Sequence, residues 1–346
     1  MQRLRFGGRI RHPTTEDIEH VASLGFMRLT KDEVSDISEY MRHILQGLDT
    51  LDDLPQPRFE LKYKERDPGY RPSAEEDPHN LFIRKCYVKG ADSGKLAGKR
   101  VGVKDTIFVA GVPLTHGSRV LQGYTPDVDA VVIERLLDAG AVIVGKLNQD
   151  DFAHGGTSES SAFGCVRNPH NPEHSAGGSS SATGAAIVTG DIDLGLGVDQ
   201  RGSGRVPAAW CGVSAIKASQ GLVPTFGMVY MDHTLDYVCP TARTVREVAQ
   251  MLEVIAGPDR RDPQWVQGPI KVDAYSEGMK RDVSGIRIGI LKEAFGWEGS
   301  EPDVNEMVRD CLQRMRKPGL ELEEVSIPLF PYGDAIWSGV LYHSTA

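Results

Sequence analysis

Two short glycine- and serine-rich segments contain the residues best suited to do chemistry in this chain. They are AGGSSSATGAA at 176–186 and DQRGSGR at 199–205. A serine hydroxyl is a nucleophile at neutral pH only beside a base, and neither segment contains a histidine. A sequence rich in glycine and serine is as often a flexible linker. The apolar run LGLGV lies between the two segments, however, and a linker would not lead into a core strand. We therefore predict two tight turns that hold catalytic serines.

Lys104 is the best candidate for the missing base. It follows the apolar run RVGV in GKRVGVKDT, at the end of a predicted strand. Burial disfavours the ammonium form and lowers the pKa of a lysine toward that of a neutral amine, which can accept a proton. Most lysines at strand ends are instead solvated surface charges. The base hypothesis therefore requires a buried side chain at this position.

These residues resemble the amidase signature family of serine hydrolases. Lys104 precedes Ser179 by 75 residues and Ser179 precedes Ser203 by 24, the intervals that the family keeps between its lysine, its bridging serine and its nucleophile. A chance linker would rarely meet both intervals. The similarity runs from about Gly98 to Gly257, through the segments GKRVGVKDT, AGAVIVGKLNQDDFAHGGTSES, FGCVRNP, AGGSSS, GVDQRGSGRVPAAWCG and GLVPTFG.

The resemblance implies a role for each polar residue of the two turns. Ser203 would be the nucleophile that forms the acyl-enzyme, Ser179 the bridging serine, and Lys104 the base that acts through it. Ser180 would be the neighbouring hydroxyl that helps to orient the lysine. The family has a cis peptide at the bridging serine, so the bond between Gly178 and Ser179 is expected to be cis.

The resemblance also implies an oxyanion hole in the second turn. Backbone N–H groups would stabilise the negative oxygen of the intermediate, and the residues concerned are Gln200, Arg201, Gly202 and Ser203. Asp199 and Arg205 bracket the turn and are expected to hold it by charge and hydrogen bonds, with an ordinary loop ion pair as the alternative.

The sequence departs from the family pattern at three positions. Arg201 stands where members usually have the first of two glycines, and an arginine in a tight turn predicts strained backbone or a blocked pocket. Gly204 replaces a residue that is commonly β-branched, and Cys165 replaces a usual proline. Arg201 therefore keeps open the alternative of a non-catalytic binding or structural protein with this fold.

The pattern of apolar runs predicts an α/β fold, a mixed β-sheet flanked by helices on both faces. We predict strands at 100–103, 141–144, 194–198 and 286–290, and helices at 129–139, 244–256 and 304–315. Thr30 and Glu33 form a capping box ahead of a further amphipathic helix, and another helix is expected around Ile18. The polar text from 50 to 78 reads as a linker. We predict a small N-terminal helical segment with linker at 1–78 and the amidase signature catalytic domain at 79–346.

Composition excludes several classes of partner. With 39 basic and 48 acidic residues the net charge is -9, which offers nucleic acid no attraction. Five scattered cysteines favour a reducing cytoplasm over a disulfide framework, and the sequence has no apolar run long enough for a membrane span. We expect a small-molecule amide as ligand, no metal or organic cofactor, no direct nucleic acid and no membrane contact, and leave a homodimer open.

Two competing motifs carry little weight. GAVIVGK at 140–146 opens like a phosphate-binding loop, but its centre is strand-like. HNPEH at 170–174 has the order of a zinc motif, but Pro172 forbids the helix that would align its two histidines. Trp210, Phe226 and Tyr230 could line a substrate pocket, with core packing as the alternative.

The resemblance implies an amidase that converts a carboxamide into a carboxylic acid and ammonia through an acyl-enzyme. The helical front segment and the DQ before the nucleophile resemble bacterial amidases of aliphatic and aromatic amides, including those of nitrile degradation. One alternative is the glutaminase subunit of a tRNA-dependent amidotransferase complex. Family members usually continue beyond HSTA at the end of this sequence, so we also expect that a C-terminal part is missing.

Overall fold

The computed structural model describes residues 11–53, 59–262, 264, 270–316 and 318–345. The chain divides after Glu60 into two compact units. The first unit contains helices α1 (Thr15–Leu24) and α2 (Lys31–Asp53). Thr30 and Glu33 form the predicted capping box, in which the Glu33 carboxylate accepts the Thr30 N–H at 2.7 Å and the Thr30 hydroxyl accepts the Glu33 N–H at 3.3 Å.

The second unit is built on a mixed sheet, as the sequence predicts. The strands run in the order β1-β2-β4-β3-β5-β7-β6. Strand β3 lies parallel to both β4 and β5, and the other pairs are antiparallel. The bounds are β1 (Arg66–Tyr70), β2 (Phe82–Lys89), β3 (Arg100–Lys104), β4 (Val142–Leu147), β5 (Leu194–Asp199), β6 (Ser214–Ala215) and β7 (Tyr237–Ala242). Strand β1 lies inside the stretch predicted as linker, and the predicted boundary after residue 78 stays a prediction.

Helices cover both faces of this sheet. Their bounds are α3 (Val131–Asp138), α4 (Ser181–Thr189), α5 (Arg205–Cys211), α6 (Val245–Ile255) and the single turn α7 (Tyr275–Gly278). Apolar residues of α3 and α6 pack on Val101, Val103 and Leu196 in one core layer. The other layer joins α4 and Cys211 to Leu147. Both layers are needed because the central parallel strands are apolar on both faces.

A last section of the chain forms a smaller strand pair with two helices. Strand β8 (Arg287–Leu291) pairs in parallel with β9 (Glu321–Val325), and the helices are α8 (Pro302–Met315) and α9 (Gly333–Thr345). The predicted strand at 286–290 and helix at 304–315 are thus present with slightly shifted ends. Among the described helices none combines the length and the apolar character that a membrane crossing requires.

Glycines in the central strands let α4 lie close to the sheet. Strand β5 reads LGLGVD, and a Cβ at Gly197 would stand 3.0 Å from the Ser180 Oγ, while one at Gly195 would stand 3.3 Å from the Thr183 Cβ. Side chains at these positions would push the helix away from the sheet. The glycines therefore bring the serines at the start of α4 against the carboxyl ends of β3 and β5.

Candidate active site

Lys104 is the last residue of β3 and is fully buried. Its Nζ lies 2.7 Å from the Ser179 Oγ. Desolvation lowers the pKa of Lys104 to about 8, against the opposing field of Asp236, Asp150 and Asp199. The side chain therefore has the burial and the basicity that a general base requires near neutral pH.

The backbone before and after Ser179 fixes the position of this residue. The peptide bond between Gly178 and Ser179 is cis, as the resemblance implies. The Ser179 carbonyl accepts a hydrogen bond from the Asp150 N–H at 3.2 Å. A Cβ at Gly178 would lie 2.1 Å from the Asp150 Oδ2, so only glycine fits there. The turn thus fixes the Ser179 hydroxyl toward the lysine.

Ser180 has a different partner from the one expected. Its hydroxyl donates to the Val198 carbonyl at 2.9 Å and accepts from the Val198 N–H at 3.1 Å. It therefore ties the start of α4 to β5. A direct hydrogen bond between Ser180 and Lys104 is not among the contacts of the described residues, so an orienting role of Ser180 on the lysine stays a prediction.

Ser203 lies in the turn between β5 and α5 and is half-buried. Its carbonyl accepts the Ser180 N–H at 2.9 Å. Within the described part of the chain its hydroxyl makes no hydrogen bond, so the structure joins Lys104 and Ser179 through side chains but brings Ser203 to them through backbone.

Asp199 and Arg205 clamp the two ends of this turn. The buried Asp199 carboxylate accepts from the Gly204 N–H at 3.1 Å, from the Arg205 N–H at 3.0 Å, and from the Arg205 guanidinium at 2.9 and 2.8 Å. Burial acts to raise the pKa of Asp199, but the hydrogen bonds from Arg205 outweigh it and the pKa is lowered. An ionised, bidentate contact of this kind fixes both distance and orientation.

The backbone donors of the turn are free to receive an anion. Within the described residues, the N–H groups of Arg201, Gly202 and Ser203 make no hydrogen bond. Unpaired N–H groups at an accessible turn before a helix are the usual material of an oxyanion hole. The Gln200 side chain is engaged instead: its Nε2 donates to the Asp236 Oδ1 at 3.0 Å and its Oε1 accepts from the Trp337 Nε1 at 3.0 Å.

Arg201 does not strain the turn. Among the described non-glycine residues, positive φ occurs at Phe26, Asn80, His116, Phe152, Ala153 and Ser158, and Arg201 is not one of them. Its guanidinium leaves the turn, pairs with Asp334 and lies 4.8 Å from the centre of the Trp337 ring. The expectation of backbone strain at this position is therefore wrong, because Arg201 lies outside the positive-φ region that disfavours a side chain, while a blocked pocket stays a prediction.

Gly204 and Cys239 share one space beneath the turn. A Cβ at Gly204 would lie 2.3 Å from the Cys239 Sγ. Cys239 belongs to β7 and is fully buried, and burial raises the pKa of its thiol to about 12. The sulfur therefore occupies the volume that a side chain at position 204 would take, which accounts for the glycine at this position.

A second buried lysine, which the motifs of the sequence did not reveal, lies behind the site. The Lys146 Nζ lies 3.3 Å from the Asp105 Oδ1 and donates to the Ile107 carbonyl. Burial lowers the pKa of Lys146, and Asp105 opposes that effect. The sequence did contain this lysine, as the last residue of GAVIVGK. Lys146 belongs to strand β4 and its side chain faces the Asp105 carboxylate. This segment is therefore not a phosphate-binding loop.

A buried chain of polar groups joins this pair to the relay. The Asp105 Oδ2 accepts the His116 N–H at 2.9 Å, and the His116 Nδ1 lies 2.9 Å from the Gln149 Nε2. Gln149 precedes Asp150, whose N–H binds Ser179. Burial, with smaller effects of the two lysines, lowers the pKa of His116 to about 3, so this histidine is neutral and supports the site without titrating.

The other candidates of the sequence lie apart from this chemistry. His170 and His174 lie in turns, and the His170 Nε2 is 3.0 Å from the Cys211 carbonyl. Trp210 is half-exposed on α5. Tyr230 donates to the Thr225 carbonyl at 2.7 Å, and burial raises its pKa to about 12. These contacts favour structural roles.

Comparison with known proteins relates most of the second unit to one family. Residues 83–346 match the family model described as Amidase. The A subunit of the glutamyl-tRNA(Gln) amidotransferase of Natronomonas pharaonis is 43% identical over 250 residues, which cover 72% of this chain and 59% of that protein. The protein of the same name from Synechococcus sp. CC9605 is 41% identical over 255 residues, 74% of this chain and 52% of that one.

Solved structures share the fold. The A subunit of the glutamyl-tRNA(Gln) amidotransferase of Thermotoga maritima superposes with a TM-score of 0.70 at 33% identity, over 78% of this chain and 59% of that one. The peptide amidase of Stenotrophomonas maltophilia gives 0.66 at 31% identity, over 73% and 52%. The chain therefore spans between about half and three fifths of the length of these relatives. Its sequence motifs, its mixed sheet and these similarities show that it belongs to the amidase signature family.

Proposed function

We propose that this chain hydrolyses a carboxamide to a carboxylic acid and ammonia, with Ser203 as the nucleophile and Ser179 and Lys104 as its proton relay. The observation that carries this proposal is the buried hydrogen bond of 2.7 Å between the Lys104 Nζ and the Ser179 Oγ. A lysine placed against a hydroxyl in a dry site serves as the base that serine chemistry needs.

The proposed reaction balances without a cofactor. The Ser203 Oγ attacks the carbonyl carbon while its proton passes to Ser179, and the Ser179 proton passes to the neutral amine of Lys104. The N–H groups of the turn stabilise the resulting oxyanion. The C–N bond then breaks, the relay returns a proton to the leaving nitrogen, and ammonia departs. Water repeats the sequence on the ester of Ser203 and releases the acid.

A second candidate function is release of ammonia from glutamine for a tRNA-dependent amidotransferase complex. It is favoured by the 43% and 41% identity to proteins named as A subunits of glutamyl-tRNA(Gln) amidotransferases. This function uses the same relay but requires protein partners. Simple aliphatic or aromatic amides remain the substrates of the first candidate. For either function we propose the cytoplasm as the compartment, since all five cysteines are free thiols.

Hydrolysis of a small panel of amides tests the relay. The panel contains propionamide, benzamide and glutamine, and the variants are Ser203→Ala, Ser179→Ala and Lys104→Ala. We expect each to lose at least about 10³-fold in kcat, because removing one member of such a unit disables the whole. Ser181→Ala is the matched control, since this buried serine begins α4 and its hydroxyl donates to the Ser179 carbonyl at a long 3.4 Å. Full activity of any relay variant would reject its role.

Covalent labelling of Ser203 distinguishes an enzyme from a non-catalytic binding protein. The choice of substrate then distinguishes the general amidase from the glutaminase. A serine-directed fluorophosphonate should mark Ser203 in the parent and leave Ser203→Ala unmarked, as read by peptide mass spectrometry. Turnover of propionamide or benzamide by the isolated chain favours the first candidate. Turnover confined to glutamine, together with copurifying subunits, favours the second. A folded protein without label on Ser203 would show that neither applies.

A further inference from the structure

Two residues of the predicted oxyanion turn, Gln200 and Arg201, contact the last helix, and Gln200 also contacts Asp236 before β7. We name Gln200, Arg201, Asp236, Asp334 and Trp337 the α9 clasp. Gln200 is held at both ends of its amide, by the Asp236 carboxylate and by the Trp337 indole, each at 3.0 Å. Arg201 pairs with Asp334 and stacks on the Trp337 ring. Two adjacent residues of the turn are therefore both held by α9.

The two ends of the clasp differ in burial. Asp236 lies 1% exposed directly before β7, and its carboxylate also accepts the N–H of Met231 at 2.7 Å. On the other side, Asp334 and Trp337 are three residues apart and so share one face of α9. Arg201 and Asp334 are 60% and 61% exposed, where an ion pair contributes little. The indole hydrogen bond to Gln200 is thus the main link between α9 and the turn.

The clasp occupies the wall of an open cavity. Gln200, Arg201 and Trp337 line this space of about 640 Å³ together with residues of segment 294–334. Gln200 lies three positions before Ser203, and the next three N–H groups are the free donors of the described turn. A tilt of Gln200 would therefore move the donors that face the developing oxyanion. Donors of this kind act by being aligned before the reaction begins.

We propose that Trp337 is a positioning residue for the oxyanion turn, which it aligns through the Gln200 side chain while Arg201 supports its ring. This inference rests on the proposed amide hydrolysis and extends it to a residue that touches none of the reacting atoms. It also assigns a role to Arg201, whose guanidinium contacts the Trp337 ring and so holds the indole beside the turn.

Trp337→Phe tests the link, because it keeps an aromatic ring under Arg201 and removes the N–H donor. We expect kcat for propionamide to fall about tenfold with KM little changed, a part of the roughly 10²- to 10³-fold that losing a whole donor costs. Trp297→Phe is the matched control, since it borders the same cavity but its indole donates to the Glu293 carbonyl at 2.7 Å and not to Gln200. Its kcat should stay within about twofold of the parent.

A merely structural or substrate-contacting Trp337 would behave differently. If the indole only bordered the substrate, KM for benzamide would rise in Trp337→Phe and kcat for propionamide would not change. That outcome would overturn the proposal. Asp334→Asn, at an exposed position, should lower kcat by no more than about threefold. A larger loss there than in Trp337→Phe would assign the link to the ion pair and also reject it.

A double-mutant cycle keeps the test independent of turnover. Gln200→Leu and Trp337→Phe are combined in the Ser203→Ala background, and urea unfolding measures whether their effects are additive. We expect clear coupling between the two, as contacting residues show. Additive effects would overturn the clasp even in an active enzyme. Coupling in a parent that hydrolyses no amide would show instead that the contact exists and the proposed function fails.

Discussion

Two fully buried lysines on adjacent parallel strands differ in what they face. Lys104 points at a hydroxyl, whereas Lys146 points at the Asp105 carboxylate and the Ile107 carbonyl. A nearby carboxylate favours the charged form of an amine, and a hydroxyl does so far less. Lys104 is therefore the lysine suited to accept a proton, and Lys146 the one suited to hold Asp105 in place. Both roles follow from the contacts of single side chains.

The rate of amide hydrolysis should rise with pH through about 8, because desolvation lowers the pKa of Lys104 to about 8 and only the neutral amine can act as the base. The measurement is kcat/KM for propionamide between about pH 6 and pH 10, a window that brackets this pKa. A profile without a rising limb in this range would contradict the base role.

The lowered pKa of Lys104 also makes the stability of the folded chain depend on pH. The folded chain releases the Lys104 proton near pH 8, whereas the ordinary pKa of a lysine, which the unfolded chain keeps, is 10.5. The unfolded state thus binds more protons between these two values, so the contribution of Lys104 to the free energy of unfolding increases as pH rises from about 8 to 10.5. Lys104→Met should remove this increase, as urea unfolding at about pH 7.5 and about pH 9.5 would report.

Lys146→Met should cost about 3 to 5 kcal/mol in the free energy of unfolding, because it leaves the buried Asp105 carboxylate without its counter-charge. Lys146→Met combined with Asp105→Asn should recover part of this loss, since the neutral amide needs no counter-charge and keeps an oxygen that accepts the N–H groups of Thr115 and His116. Lys280→Met provides the surface control, because Lys280 pairs with Glu277 in full view of solvent and should show no measurable change. Equal losses in the single and double variants would refute the charge argument.

At the scale of elements, the site depends on how close α4 and α5 come to the sheet. Glycines on β5 admit α4, and the Gly204 position at the start of α5 admits the Cys239 sulfur of β7. Both contacts place a serine at the carboxyl end of a central parallel strand, where ligands of α/β sheets usually bind. Small residues at the element interfaces therefore decide where Ser179 and Ser203 stand.

Gly204→Ala should destabilise the protein by about 1 to 3 kcal/mol, because the new methyl group meets the Cys239 Sγ in a filled core. Adding Cys239→Ala removes the sulfur but leaves the Cys239 Cβ 2.7 Å away, so we expect partial recovery of stability and of fluorophosphonate labelling. Urea unfolding of the parent, the two single variants and the double variant gives the comparison. A double variant less stable than Gly204→Ala alone would disprove the shared space.

At the scale of the whole molecule, apolar side chains are unevenly distributed over the second unit. The section from β8 to α9 exposes many large apolar residues, among them Met307, Leu329, Tyr332 and Ile336. Exposed apolar surface of this density is typical of a face that binds another surface or a hydrophobic dye. The core layer between the sheet and helices α3 and α6, by contrast, consists of buried side chains.

The chain should therefore bind the dye ANS in its native state, mainly at this section. Leu329→Gln with Ile336→Gln should lower the dye fluorescence, because both side chains are mostly exposed, at 71% and 61%. Val120→Gln is the control, since Val120 is equally exposed at 77% but lies outside the section. Unchanged fluorescence in the double variant, at unchanged far-UV circular dichroism, would place the dye elsewhere.

How far the fold could be predicted depended on local pattern. Strands β3, β4, β5 and β8 were predicted within three residues of their ends, because apolar runs between glycines indicate buried strands. Strand β7 was missed because Pro240 interrupts it, although the strand pairs with β5 along its length. Strand β2 was missed because its residues FIRKCYVK mix charges with apolar positions. Both strands depend on neighbours that are distant in sequence.

The sequence by itself determined which residues are the candidates for the relay, since two fixed intervals and two Gly/Ser turns identify Lys104, Ser179 and Ser203 without coordinates. Only the tertiary structure decided what surrounds them: the Asp105 and Lys146 pair, the Val198 partner of Ser180, and the attachment of Gln200 and Arg201 to α9. The reason is physical. Turn chemistry and periodicity act over a few residues, whereas burial, pKa and long-range hydrogen bonds depend on which strands and helices pack together.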